Sequence, residues 1–264
     1  MIDRSEKWSD LAARTGSALV MVLVGIGGIW FGGNVFHLLV CVVSGLMVWE
    51  LARMVAPLNA SFALQLGGVS GVALCLATYL PTGAVLALLL APALVGFGQL
   101  KKHRATFLTF SILILLAGYG MISVRDDMGL GWMIWLVLIV VITDVAGYFA
   151  GRVIGGPRFW PRISPKKTWS GTVAGWIGAA ILGAVFSYNT DATCLLVALS
   201  VALSLASQMG DIAESALKRR IGIKDSSALI PGHGGVLDRF DGMLGASLFL
   251  LLVGHTVGFP GGVF

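Results

Sequence analysis

The chain has 264 residues, of which 57% are hydrophobic and only 12% charged, where an ordinary soluble domain is about 25% charged. Its mean hydropathy is +0.90, which excludes a soluble globular domain and leaves a multi-span membrane protein with little mass outside the bilayer. The formal net charge of +5 sits in a few short segments between apolar runs, and no nucleic-acid partner is expected.

Apolar runs long enough for helical spans occur in chain order at 15–36, 37–55, 62–79, 83–99, 105–123, 129–150, 171–187, 193–208 and 242–259. The expectation is therefore an all-α polytopic protein with about nine transmembrane helices. The first run is long enough to span and lacks a small-residue cleavage site, so it reads as a helix and not as a secretory signal. The 36 glycines suit helices whose backbones approach closely. Cys41, Cys75 and Cys194 stand singly in apolar runs and read as small packing residues.

The basic residues orient the chain. Arg4, Lys7 and Arg14 precede the first run, Arg53 ends the second, and Lys101, Lys102 and Arg104 join the fourth to the fifth. Arg152, Arg158, Arg162, Lys166 and Lys167 follow the sixth; Lys218, Arg219, Arg220, Lys224 and Arg239 lie between the eighth and ninth. With nine spans, seventeen of the eighteen Lys and Arg fall on one side, and only Arg125, beside Asp126 and Asp127, falls opposite. The positive-inside rule makes the crowded side cytoplasmic, with the N-terminus inside. Lys101, Lys102 and Arg104 need no role beyond topology and contact with anionic lipid.

Two loops carry mixed charge. In the first, Asp144 lies near the cytoplasmic end of a span, about two turns before Arg152. An intramembrane carboxylate is costly and a functional candidate by default; the alternative is a helix-end carboxylate satisfied by Arg152 or a neighbouring span. Ser164, Pro165, Lys166, Lys167 and Thr168 then place hydroxyls and two ammonium groups before a helix, whose free N–H groups and dipole attract an anion. Phe159, Trp160 and Trp169 read as interfacial anchors.

In the second loop, a helix continuing past 208 puts Asp211, Ser215 and Lys218 on one face. Pro231, Gly232, His233, Gly234 and Gly235 must form a turn, whose glycines let backbone N–H groups approach phosphate oxygens. Asp238 and Asp241 follow three apart, and hard-oxygen ligands so placed suit Mg²⁺ completed by substrate phosphates. Carboxylates, clustered cations and a Gly-rich turn at one bilayer edge describe a site where a phosphate-rich nucleotide meets a lipid.

These residues carry a resemblance. Ser215-x-Leu217-Lys218-Arg219, Lys224-Asp225 and Pro231-x-His233-Gly234-Gly235-x-x-Asp238-Arg239-x-Asp241 resemble the long signature of the phosphatidate cytidylyltransferases (CDP-diacylglycerol synthases). Asp144, Tyr148, Gly151-Arg152 and Ser164-Pro165-x-Lys167-Thr168 are similar to that family's upstream elements. Gly147 stands where the family commonly has Ala, and Ser170 where it commonly has Glu or Gln. The first five spans carry no specific motif.

The resemblance implies transfer of CMP from CTP to phosphatidate, giving CDP-diacylglycerol and pyrophosphate, in one membrane-embedded domain, 1–264, whose catalytic part is 144–241 with the flanking helices. It implies Asp211, Asp238, Asp241 and Asp144 as Mg²⁺ residues, with room for a second cation to which Asp225 could contribute. It also implies Lys166, Lys167, Lys218, Arg219 and Arg239 as phosphate-holding groups. Among these, Asp211, Asp238, Lys167 and Lys218 are the expected catalytic residues. Ser164, Pro165, Thr168, Ser215, Lys224 and Asp225, which could instead serve to fix Lys224, join the expected substrate site, and His233, Gly234 and Gly235 shape its nucleotide pocket. The expected partners are CTP, phosphatidate and membrane lipid, with a homodimer compatible with the Gly-rich spans. The expected location is the inner (cytoplasmic) membrane, active site facing the cytoplasm. A CTP-dependent polyprenol or lipid kinase is the nearest alternative. A CDP-alcohol phosphotransferase fits less well, since only Asp241-Gly242 matches its motif. A transporter would place its charges near the midplane and show internal repeats.

Overall fold

The computed structural model describes residues 4–189 and 195–257, with side chains described over 14–188 and 195–254. Among these residues it is all-α apart from one small hairpin. The helices are α1 (Arg4–Phe31), α2 (Gly33–Val55), α3 (Ala60–Ala77), α4 (Thr82–Gln99), α5 (Arg104–Ser123), α6 (Leu130–Val153), α7 (Trp169–Asn189), α8 (Leu195–Ile221) and α9 (Leu237–Val257). Eight of them, α1 to α8, are long and apolar enough to cross a membrane. The ninth expected span coincides with α9, and its residues 258–259 lie outside the described residues, as does Cys194. Large apolar side chains face outward, Leu19 at 58%, Trp30 at 67% and Phe31 at 76% exposure, which a protein solvated by lipid can hold without an aqueous penalty.

The structure refines three boundaries. The first two helices part at Gly32 and Gly33, with φ of 62° and 47°, a left-handed corner that glycine enters without strain; hydrophobicity alone had put the break at 36/37. The charged Val124–Met128 segment is wound as a π-helical turn that ends at Gly129, φ 91°. After α6, β1 (Arg158–Trp160) and β2 (Ser164–Thr168) pair antiparallel with Arg158 opposite Thr168, where a loop was expected.

The chain divides into two compact units: residues 1–122 with 221–240, and 123–220 with 241–264. The first holds α1 to α5 up to residue 122 and the segment bearing most of the Gly-rich signature. Its α2 and α3 pack backbone to backbone, since a Cβ on Gly67 would lie 2.7 Å from Gly45 O and from Trp49 Cβ. That is the small-residue packing expected of membrane helices. In the second unit α6, α7 and α8 are joined by buried polar pairs. Trp135 Nε1 donates to Ser200 Oγ at 3.2 Å and Thr143 Oγ1 to Ser204 Oγ at 2.7 Å. Trp176 Nε1 donates to Gln208 Oε1 at 3.0 Å, and Gln208 Nε2 to Thr172 O at 3.2 Å. In a medium without water each such group needs a protein partner.

Candidate active site

A pocket of about 390 Å³ opens in the second unit between α6, β2, the start of α7, and α8. It is lined by Asp144, Tyr148 and Arg152 of α6, Lys166, Lys167 and Thr168 of β2, and Gln208 and Asp211 of α8. The hairpin explains how the two lysines get there. Trp169 N donates to Pro157 O at 3.0 Å, and Ser170 Oγ donates to Gly155 O at 2.5 Å, tying the start of α7 to the chain that precedes β1. Ser170, where the family commonly has an acid or amide, therefore closes the hairpin here. Thr168 accepts from Gly171 N at 3.2 Å through its hydroxyl, an N-cap for α7. β2 then delivers Lys166 and Lys167 in the two residues before that cap.

Gly147 and Gly171 set the width of the pocket. A Cβ on Gly171 would lie 2.5 Å from Gly147 O, and one on Gly147 would lie 3.3 Å from Gly171 O. Only glycine at 171 lets α7 come this close to α6.

Inside the pocket Lys167 Nζ lies 2.5 Å from Asp211 Oδ2 and donates to Gln208 O at 3.5 Å. Asp144 feels the same ammonium and the Asp211 carboxylate, and Asp241 feels all three charges. Arg152 Nη1 donates to Tyr148 OH at 2.7 Å. The cation that acts on Asp144 is thus Lys167, and Asp144 lines the pocket. Ser215 Oγ donates to Asp211 Oδ1 at 3.3 Å, as a helix continuing through α8 requires. Lys218, one turn on, pairs with Glu214 at 2.7 Å. Arg219 is exposed near the end of α8. Ser164 and Pro165 sit on β2, outside the residues that line the pocket.

The remaining candidates belong to the first unit. Ile230 to His233 form a turn in which His233 N donates to Ile230 O at 2.9 Å. Pro231 at its second position and Gly232 with φ 73° at its third satisfy a type II turn. His233 turns its Nδ1 to Ser17 Oγ of α1 at 2.9 Å. Gly234, φ 84°, packs on Asp238, whose Oδ2 would lie 2.8 Å from an added Cβ. Gly235 has no room for a Cβ at all, because Ser226 Oγ and Glu50 Oε1 occupy the space.

Asp238, in the first turn of α9, accepts from Ser226 N at 3.2 Å (Oδ1) and 3.0 Å (Oδ2), from Ser226 Oγ at 3.0 Å and from Gly235 N at 2.8 Å. Lys224, Asp225 and Arg239 are exposed. Asp225, Ser226 and Ser227 line a groove of about 600 Å³ with Trp49 and Arg53 of α2.

Sequence reasoning missed Gln208, which bridges α7 and α8 in the pocket wall, and Glu50, which reaches the signature loop from α2. Both are polar side chains inside apolar runs, and for Glu50 that was a sufficient signal, since a carboxylate in a span is a site candidate by default.

Among the described residues no three His, Cys, Asp or Glu side chains are grouped to hold a metal ion by themselves. The donor set nevertheless fits Mg²⁺, which takes one or two carboxylates and completes its octahedron with water and substrate phosphates. Asp144 and Asp211 offer that pair in a pocket that also carries two lysines.

Known proteins resemble this chain over nearly its whole length. The sequence pattern of the Cytidylyltransferase family matches residues 12–257. The phosphatidate cytidylyltransferase of Brucella suis is 34% identical over 263 residues, covering 96% of each chain. That of Staphylococcus haemolyticus is 30% identical over 252 residues, covering 89% of this chain and 95% of its own.

Proposed function

The chain belongs to the cytidylyltransferase family, and on that premise we propose that it transfers CMP from CTP to phosphatidate, giving CDP-diacylglycerol and pyrophosphate. The observation that carries this reading is the pocket where Lys166, Lys167, Asp144 and Asp211 converge. Cations there meet phosphate oxygens, and carboxylates meet a divalent ion.

An oxygen of the phosphatidate phosphate attacks the α-phosphorus of CTP. The new P–O bond forms as the bond from the α-phosphorus to the bridging oxygen breaks, and that oxygen leaves with pyrophosphate. A phosphate monoester has a second pKa of about 6, so the attacking oxygen is already anionic and no strong base is required. What must be overcome is repulsion between two polyanions, so catalysis is positioning and charge neutralisation.

Lys167 leaves Asp211 for the incoming phosphates, with Lys166 beside it, and Thr168 and the start of α7 fix both lysines. Lys218 and Arg219 on α8 add positive charge for the substrates, and the resemblance alone gives Lys224 and Arg239 the same role. Mg²⁺, when bound, neutralises nucleotide phosphates and stabilises the leaving pyrophosphate. Asp144 and Asp211 are its proposed holders with Asp241 in support, and on the resemblance alone Asp238 is proposed as an active-site carboxylate. His233 and the glycines beside it shape the turn that carries Asp238. The protein works in the cytoplasmic membrane with this chemistry on the cytoplasmic face, where seventeen of the eighteen basic residues are expected.

The test is purified protein in detergent with CTP, phosphatidate and Mg²⁺. CDP-diacylglycerol and pyrophosphate should accumulate in equal amounts, and a folded Asp211→Asn variant should form neither. An Asp211→Asn variant with near-normal turnover would remove the metal and phosphate roles given to this pocket.

A further inference from the structure

We infer that Glu50 is a positioning residue for the reaction: a carboxylate of α2, far away in sequence, that holds the turn bearing Asp238. Glu50 is the only acidic residue of the second apolar run and is fully buried, at 0% exposure. A carboxylate placed there is costly unless hydrogen bonds satisfy it. Three donors are its own, and a fourth, the Ser226 hydroxyl, shares its single proton with Asp238. Ser227 Oγ at 2.6 Å and Val236 N at 2.8 Å donate to Oε1. Ser226 Oγ at 3.1 Å and Leu237 N at 2.8 Å donate to Oε2. All four groups come from one loop and the start of α9, 176 to 187 residues later in the chain.

The arrangement has a direction. Val236 and Leu237 supply the first amides of α9, which have no partner within their own helix. Glu50 caps that helix from another one, with its charge at the favourable end of the dipole. Ser226 then links Glu50 to Asp238: its hydroxyl stands between the two carboxylates, and its amide donates to Asp238. Gly235 packs against Glu50 and Ser226 and donates its amide to Asp238. The partners that orient Asp238 are thus themselves held by Glu50. Replacing the carboxylate by an amide sets an NH₂ against the two donors of one oxygen, which must move away from it. Shortening the side chain to Asp withdraws it from them.

This inference rests on the reading of Asp238 as an active-site carboxylate, and its test has a readout independent of catalysis. In Glu50→Gln of the full-length protein, the amides of Ser226, Gly235, Val236 and Leu237 should exchange hydrogen faster while α3 and α4 keep their protection. Turnover should fall about 100-fold, the scale of a small misplacement at a reacting centre, with the KM for CTP changed less than about threefold. Glu50→Asp should not restore it. Ser226→Ala should also lower kcat, and the double variant should lose less than the product of the two, because both act through one chain of contacts.

Faster exchange with normal turnover would make Glu50 a tether only and overturn the inference, as would unchanged exchange. If Glu50→Gln does not fold, Ser226→Ala decides alone, and normal turnover there overturns the inference. A wild-type protein without transferase activity, or an active Asp238→Asn variant, would instead sink the functional reading and leave the exchange result standing.

Discussion

Lys167→Met removes one charge from the pocket and keeps the length of the side chain. Lys167 Nζ lies 2.5 Å from Asp211 Oδ2, and the two side chains are 24% and 31% exposed. A pair wetted to that degree contributes at most about 1 kcal/mol to stability, which moves the thermal midpoint of a chain of this size by roughly 2–4 °C. The expected effect on the reaction is much larger. Losing one preorganised charge from a site where phosphate charge is redistributed costs on the order of 10²–10³ in kcat, or about 2.7–4 kcal/mol of transition-state stabilisation. The two effects therefore differ by a factor of several in energy and can be separated. The assay pairs initial rates of CDP-diacylglycerol formation at saturating CTP with thermal unfolding in the same detergent. Lys167→Arg should recover part of the rate, because it restores charge in a different shape. A Lys167→Met enzyme that unfolds a few degrees lower but turns over within about threefold of wild type would refute the reasoning, because the ion pair would then be structural.

Asp238→Asn should reduce turnover below about one hundredth of wild type, the loss seen when one transition-state charge partner is removed, and should loosen the contacts from Ser226 and Gly235 that its carboxylate accepts; rates measured on purified, monodisperse protein check it. Gly171→Ala should destabilise by about 1–3 kcal/mol through overpacking against Gly147 O. Gly147→Ala, with 3.3 Å to its nearest neighbour, should be close to neutral, since Ala recovers about 1 kcal/mol of helix propensity; thermal unfolding of both variants decides. Chelating Mg²⁺ should abolish transfer reversibly and leave the melting temperature of the substrate-free protein nearly unchanged, because two carboxylates hold the ion firmly only with phosphates present. Activity persisting in chelator would contradict the proposed use of the ion.

The spans were legible because an apolar run of bilayer length leaves the backbone few alternatives to a helix. The helix through Asp211, Ser215 and Lys218 followed from spacing, and Ser215 does bond Asp211. The corner at Gly32–Gly33 was not legible, because hydrophobicity runs on unbroken through it and only two backbone angles mark the break. The hairpin escaped because three- and five-residue strands with Pro165 among polar residues show no period. The partners of individual charges were hidden for a different reason. Lys218 faces Glu214, and Glu50 faces a turn more than 170 residues away. Spacing along one helix places a residue on a face but cannot name what another helix brings to it. Glu50 went unread although a lone carboxylate in an apolar run was the plainest signal in that half of the chain.

The measurement that tests the central claim most directly supplies purified protein with phosphatidate, Mg²⁺ and CTP labelled at either the α- or the γ-phosphate. Cytidylyl transfer predicts that α-label enters the lipid while γ-label leaves as pyrophosphate. Label from the γ-phosphate in the lipid, with CDP released, would make the protein a kinase and contradict the account, and so would the absence of transfer from either position.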